Sequence, residues 1–170
     1  MHYHFIEQTI TLYLPGGYMN RIDKHQYHMK MAALVSERST CPRRAVGCIL
    51  VNKINHIIAT GYNGLPSGMA NCIDVEKPMC SGTRTIPGEK LELCDAVHAE
   101  QNALLQCKNV YEIEAIYCTA SPCIHCLKLL MNTACNTIYY RDAYPSKEGM
   151  ELLKLKWESF HTRKMIQIGV

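Results

Sequence analysis

Two short stretches of this chain have residue types and spacing that can do chemistry. They are His98-Ala99-Glu100 and, further along, Ser121-Pro122-Cys123-Ile124-His125-Cys126. Cys123 and Cys126 stand at i and i+3, which puts two sulfurs on one face of a helix. Ser121 can cap that helix, and Pro122 suits its first turn, where a missing N–H does no harm. A helix N-terminus also favours thiolate over thiol. Two thiolates placed this way make half of a zinc site, and His98, at the start of its own helix, can supply a third ligand. Three protein ligands leave one tetrahedral position for water, whose pKa zinc lowers to about 7. Glu100, two residues from His98, is placed to carry protons rather than to bind the metal. A lone C-x-x-C also fits redox and structural zinc sites, and His98 alone would read as a core histidine. The combination with His-Ala-Glu on a preceding helix favours a catalytic centre.

The elements that must hold these residues are readable from periodicity. A helix is expected from about Asp23, its cap, to Ser36, with Tyr27, Met31, Leu34 and Val35 at helical spacing. Ala45 to Val51 and His56 to Tyr62 read as strands joined by a short polar hairpin, Asn52-Lys53-Ile54-Asn55. His98 to Lys108 is helical in composition, Ile113 to Thr119 alternates as a strand, and Cys123 to Asn132 is helical again. Thr137 to Arg141 is a further strand, Lys147 to Lys154 a helix, and Met165 to Val170 a last alternating run. Strand and helix taking turns in this way predict an α/β sheet covered by helices.

Residues 1–20 read as an N-terminal extension without an assigned role. Gln8 to Leu14 is a strand candidate there, ended by Pro15-Gly16-Gly17. Residues 21–170 read as one domain. Within it, residues 63–95 are rich in glycine and proline, lack periodicity and look like an insertion that something must fasten.

The chain has 170 residues, of which 48% are hydrophobic, enough for one domain with a real core. A net charge of +3 is too small for a surface that wraps a polyanion, yet it suits a pocket for one phosphorylated small molecule. No apolar run approaches the roughly 18 residues of a membrane span. The first residues do not begin like a signal peptide, so a cytoplasmic setting is expected.

Ten cysteines are many for this length, and without an export signal metal binding is favoured over disulfides. Cys41, Cys72, Cys80 and Cys94 lie outside the catalytic motif, the last three inside the insertion. Four thiolates would close a second, structural zinc site, and buried free thiols are the alternative. Cys48, Cys107, Cys118 and Cys135 have apolar surroundings and read as core. His125, between the two ligand cysteines, should point elsewhere.

Several separated motifs stand in order: Cys41-Pro42-Arg43-Arg44-Ala45-Val46-Gly47, then Gly61-Tyr62-Asn63-Gly64-Leu65-Pro66-Ser67-Gly68, then Cys94. Val97-His98-Ala99-Glu100-Gln101-Asn102-Ala103, Ser121-Pro122-Cys123 and Tyr140-Arg141 to Tyr144 follow. The combined H-x-E and P-C-x-x-C pattern is the signature of zinc-dependent nucleobase deaminases. From about Tyr27 to Tyr144 the chain resembles the deoxycytidylate (dCMP) deaminases of bacterial and phage type, within the cytidine deaminase-like superfamily. The resemblance implies a three-layer α/β/α fold with a mixed five-stranded sheet. It implies hydrolysis of dCMP to dUMP and ammonia, feeding thymidylate synthesis, in the host cytoplasm if the chain is phage-encoded. A hexamer, activation by dCTP and inhibition by dTTP, with Mg2+ accompanying the triphosphate, belong to the same implication.

Residue by residue, the resemblance gives the Ala99 N–H to the base carbonyl and the Ser121 carbonyl to the amino group. Arg44, Asn63 and Tyr144 match positions around the sugar and phosphate, and arginine suits phosphate geometry. Arg43 is the alternative gripper. For Tyr144 an ordinary half-buried aromatic is as good a reading, and Asn63 can instead stabilise its own turn. The loop with Gly64, Ser67, Gly68 and Asn71 is a candidate site for the regulatory triphosphate, a plain turn being the alternative.

A tRNA adenosine deaminase or a polynucleotide cytosine deaminase shares the zinc pattern, but a nucleic-acid substrate would bring a stronger basic stripe. No nucleic-acid or membrane partner is expected. Deamination of dCTP, beside or instead of dCMP, stays open. A non-enzymatic zinc module, with no open position and no need for Glu100, is the reading from another class.

Overall fold

In the computed structural model of the chain, the described residues are 21–74, 94–143, 147–159 and 162–169. The expectations for residues 1–20, for Cys80 and for Tyr144 lie outside them.

Helix α1 (Lys24–Ser36) starts at Asp23, whose carboxylate accepts from the amides of His25 and Gln26. That is the expected cap. The face is only partly the expected one, for Met31 and Val35 pack against the core on this side of the sheet. His28, Met29 and Ala32 are the buried side chains, whereas Tyr27 and Leu34 are 45% and 58% exposed. Strand β1 (Gly47–Asn52) explains the difference, because a Cβ on Gly47 would run into the Ala32 carbonyl oxygen and the Ser36 backbone. The helix lies so close to the sheet that small side chains, not the largest ones, mark the contact.

Strand β2 (Ile57–Tyr62) returns antiparallel to β1, with Gly47 opposite Tyr62 and Leu50 opposite Ala59. The hairpin is closed by Asn52, whose side-chain oxygen accepts from the amides of Ile54 and His56. Helix α2 (Ala99–Gln106) and a short 3-10 turn (Val110–Glu112) follow. Strand β3 (Ile113–Ala120), helix α3 (Ile124–Leu130), strand β4 (Thr137–Asp142), helix α4 (Lys147–Glu158) and strand β5 (Lys164–Gln167) complete the order.

The sheet runs β2-β1-β3-β4-β5. β1 pairs antiparallel with β3, while β3–β4 and β4–β5 are parallel, so the sheet is mixed. Parallel neighbours need a crossover, and α3 and α4 are those crossovers. Strand alternation splits the core in two. Ile49, Val51, Ala115 and Tyr117 face α1. Cys48, Leu50, Ile116, Cys118, Ile138 and Tyr140 face the other way, against Ala99 and Ala103 of α2, Leu127 and Leu130 of α3, and Trp157 of α4. The expected three layers are therefore present.

Trp157, the chain's single tryptophan, is fully buried. Its Nε1 donates to the Lys164 carbonyl at 3.0 Å, and the Arg163 guanidinium lies 4.5 Å from its ring centre, so α4 is pinned to β5. Cys48, Cys118 and Cys135 are buried in the core as expected, and Cys107 packs against it. Among the described residues no helix is long and apolar enough to cross a membrane.

Candidate metal centre and active site

The two motifs meet where α2 begins and β3 ends. His98 is the residue just before α2, in extended backbone, and its amide donates to Oε1 of Gln101 at 2.9 Å. Asn102 ties the same helix to β2, its Nδ2 donating to the Tyr62 carbonyl at 2.7 Å. Gly61 lets α2 come this close, because a Cβ there would run into the Ala99 carbonyl oxygen and the Ala103 amide. The sequence reading gave Gly61 no role beyond its place in a motif.

On the other side, the chain does not turn helical at Ser121 as expected. The Ser121 amide donates to the Asp142 carbonyl at 2.9 Å, which continues the pairing of β3 with β4. Cys123 stays extended (φ −74°, ψ 171°) and is itself the residue before α3. Ser121 therefore caps nothing, and its buried hydroxyl has no hydrogen-bond partner among the described residues. His125 is exposed, pointing away as expected.

His98 Nδ1 lies 3.4 Å from Cys123 Sγ and 3.4 Å from Cys126 Sγ. Among the described residues this is the one group of three metal-ligating side chains whose ligand atoms gather, all within 4.8 Å of one another. A tetrahedral zinc with ordinary Zn–N and Zn–S bonds separates its nitrogen and sulfur ligands by about 3.6 Å, so the trio fits that ion. The soft sulfurs and the imidazole suit zinc, and a trio leaves a fourth position.

The three groups are electrostatically coupled to one another. The Cys123 thiol is lowered to about 4, first by a hydrogen bond from Cys126 and then by His98. The same sharing, with burial, pushes Cys126 up. His98 is raised, chiefly by the bond to Cys123. Glu100 is only 4% exposed, and burial raises its carboxyl above the usual range. A buried carboxyl beside the trio, its hold on a proton strengthened by burial, suits proton transfer.

Ala99 is the first residue of α2 and is fully buried. An α-helix leaves the amide of its first residue without an internal partner. Asn63 is committed to the segment that leads into β1. Its Oδ1 accepts from Ser39 Oγ at 2.7 Å and the Val46 amide at 2.8 Å, and its Nδ2 donates to the Arg44 carbonyl at 2.8 Å. It stitches the segment carrying Arg44 to the end of β2. Gly64 bridges Val97, the residue before His98. Ser67 and Gly68 are exposed, and Asn71 donates to Asp74 at 2.7 Å within its own turn. Of the four remaining candidate metal ligands, Cys72 is buried, Cys41 and Cys94 are half-buried, and Cys80 lies outside the described residues. Two charged residues at the end of β4, Arg141 and Asp142, join Arg44 near the site. In the sequence Arg141 stands only as part of the Tyr140-Arg141 motif, and Asp142 carries no signal beyond ending the strand.

Residues 22–141 match the family described as the cytidine and deoxycytidylate deaminase zinc-binding region. A deoxycytidylate deaminase of Schizosaccharomyces pombe is 38% identical over 69% of this chain, and the chain spans 37% of that relative's length. A deoxycytidylate deaminase of Mycobacterium phage D29 is 36% identical over 72% of this chain and 97% of its own. Among solved structures, a dCMP deaminase from the cyanophage S-TIM5, in complex with dCMP and dUMP, is 32% identical with a TM-score of 0.63. That match covers 84% of this chain and 95% of the other. The matched span contains His98, Glu100, Cys123 and Cys126, and the fold that gathers them is shared. This chain belongs to the cytidine and deoxycytidylate deaminase zinc-binding family.

Proposed function

We propose that this chain hydrolyses dCMP to dUMP and ammonia. The observation that carries the reading is the convergence of one imidazole nitrogen and two sulfurs at 3.4 Å beside a buried carboxyl. The phage D29 relative, matched over nearly its whole length, and the cyanophage enzyme bound to dCMP and dUMP support dCMP as substrate.

His98, Cys123 and Cys126 would hold zinc, which supplies a Lewis acid that makes water a ready proton donor at neutral pH. Glu100 acts as base toward the water whose oxygen bonds to C4 of the cytosine, gives that proton to N3, and carries the proton of the new C4 hydroxyl to the 4-amino group as the C4–N bond breaks and ammonia leaves. The Ala99 amide donates to the base carbonyl, and the Ser121 carbonyl accepts from the amino group. Asn63 holds the Arg44 segment at the mouth of the site, where Arg44 faces the phosphate. By family resemblance Tyr144, which lies outside the described residues, also contacts the nucleotide.

Ammonia release from dCMP, dCTP, CMP, deoxycytidine and tRNA, each with and without dCTP or dTTP as effector, tests the reading. dCMP is expected to be the best substrate. Release from dCTP but not dCMP would replace the substrate. No release from any of the panel by a zinc-loaded chain would leave a structural zinc module. The same reading extends to dCTP activation and dTTP inhibition with Mg2+ at the Gly64–Asn71 loop, to a hexamer, and to a second zinc on Cys41, Cys72, Cys80 and Cys94. Two zinc ions per chain by metal analysis are expected, and one per chain removes the second site.

A further inference from the structure

We propose that Arg141 joins Arg44 in a paired guanidinium site for the substrate's 5′-phosphate, and that Asp142 is the positioning residue holding the pair. The inference rests on the reading above and adds two residues to it. Asp142 stands at the C-terminal end of β4, opposite Ala120 of β3. By strand alternation it shares a face with Ile138 and Tyr140, the face that carries the candidate metal centre. Its own carbonyl holds the Ser121 amide, two residues before the ligand Cys123, so this carboxylate belongs to the rim of the site. Ligands of open sheets bind at the carboxyl ends of parallel strands, where this rim lies.

Arg141 starts on the opposite face, with Tyr139. Yet its guanidinium folds over the end of the sheet, with Nε 3.2 Å from Asp142 Oδ1 and Nη2 3.0 Å from Oδ2. Arg44 comes from the loop before β1 and places Nη2 3.4 Å from the same Oδ2. One carboxylate thus brings together two cations from distant parts of the chain. Two positive charges against one negative leave a net positive rim for a phosphate dianion. The described hydrogen bonds engage neither Nη1, and both guanidiniums are over a third exposed, so donors remain for a ligand. The backbone beneath is held as well, since Gln167 of β5 donates to the Arg141 carbonyl at 2.9 Å. The two guanidiniums hold the Asp142 carboxyl below the usual range, so it stays ionised at neutral pH. An ordinary surface ion pair would do nothing for substrate selectivity.

The test compares wild type with Arg141→Gln and Asp142→Asn, all assayed for zinc content. Steady-state kinetics on dCMP and on deoxycytidine, which lacks the phosphate, give the selectivity. Loss of a charge-assisted contact predicts that Arg141→Gln lowers the dCMP-over-deoxycytidine ratio of kcat/KM by about 10- to 100-fold. Asp142→Asn is expected to lower it by about tenfold, through KM for dCMP rather than kcat. Calorimetric binding of dUMP against deoxyuridine needs no turnover and should show the same loss of preference. An unchanged ratio in both measurements overturns the pair, as does an Asp142→Asn variant that binds dUMP more tightly, which would make the carboxylate a competitor. Wild-type chain that releases no ammonia from dCMP refutes the deaminase reading. The binding measurement still judges the arginine pair in that case.

Discussion

Glu100 sits beside two thiols and an imidazole with almost no access to water, and that setting gives a carboxyl a use for its proton. Glu100→Gln keeps the shape and removes the titration. The variant is expected to retain zinc by metal analysis while ammonia release from dCMP falls by at least about 100-fold, the scale of a lost acid–base group. Near-normal turnover would refute the role. At this scale much was legible, because His-Ala-Glu and Cys-x-x-Cys encode their geometry in local spacing. What spacing cannot show is which hydrogen bonds a polar side chain chooses. Asn63 had two open readings, and its three bonds to Ser39, Arg44 and Val46 were decided by a loop distant in sequence. Ser121 was expected to cap a helix, but pairing with Asp142 keeps it extended.

Among the elements, α2 matters most, since it carries both His98 and Glu100 and rests on Gly61. Gly61→Ala would force its methyl into the Ala99 carbonyl and the Ala103 amide. Overpacking of a buried contact costs about 1–3 kcal/mol, and the helix must move to relieve it. The expected outcome is a lower unfolding midpoint in urea together with weakened zinc retention on dialysis. Retention of both wild-type values would show that α2 is not seated on this glycine. Periodicity and composition gave the named helices and strands their type, while the 3-10 turn Val110–Glu112 was too short to show in either. Periodicity was half right about α1, where Met31 and Val35 pack against the core but Tyr27 and Leu34, apolar enough to be inside, stay exposed. The winning factor was the closeness allowed by Gly47, a tertiary fact with no periodic trace. The mixed strand directions were likewise absent from the alternation and entered through the family resemblance.

For the molecule as a whole, one buried histidine links acidity to stability. His28 on α1 is 2% exposed, its Nδ1 has no hydrogen-bond partner among the described residues, and Tyr117 packs 4.8 Å away, ring centre to ring centre. Burial lowers its pKa most, the Asn55 carbonyl opposes that, and the charges of His25 and Lys24 lower it further. The unfolded chain therefore takes up the proton first. Stability from this group is intact above the unfolded value of about 6.5 and is lost as pH falls through it toward the lower folded value. Melting temperature should fall over that acid range more steeply in wild type than in His28→Leu. Equal slopes would remove His28 as the cause and leave the loss to the metal ligands.

Such measurements need a signal that reports the fold and not the metal, and the chain supplies one. With a single indole on α4 bound to β5, on the far side of β4 from the β1–β3 pairing, the tryptophan fluorescence has one source. Chelation that empties the centre but spares the fold should leave its emission blue, and a red shift should begin only when the β5 margin lets water in.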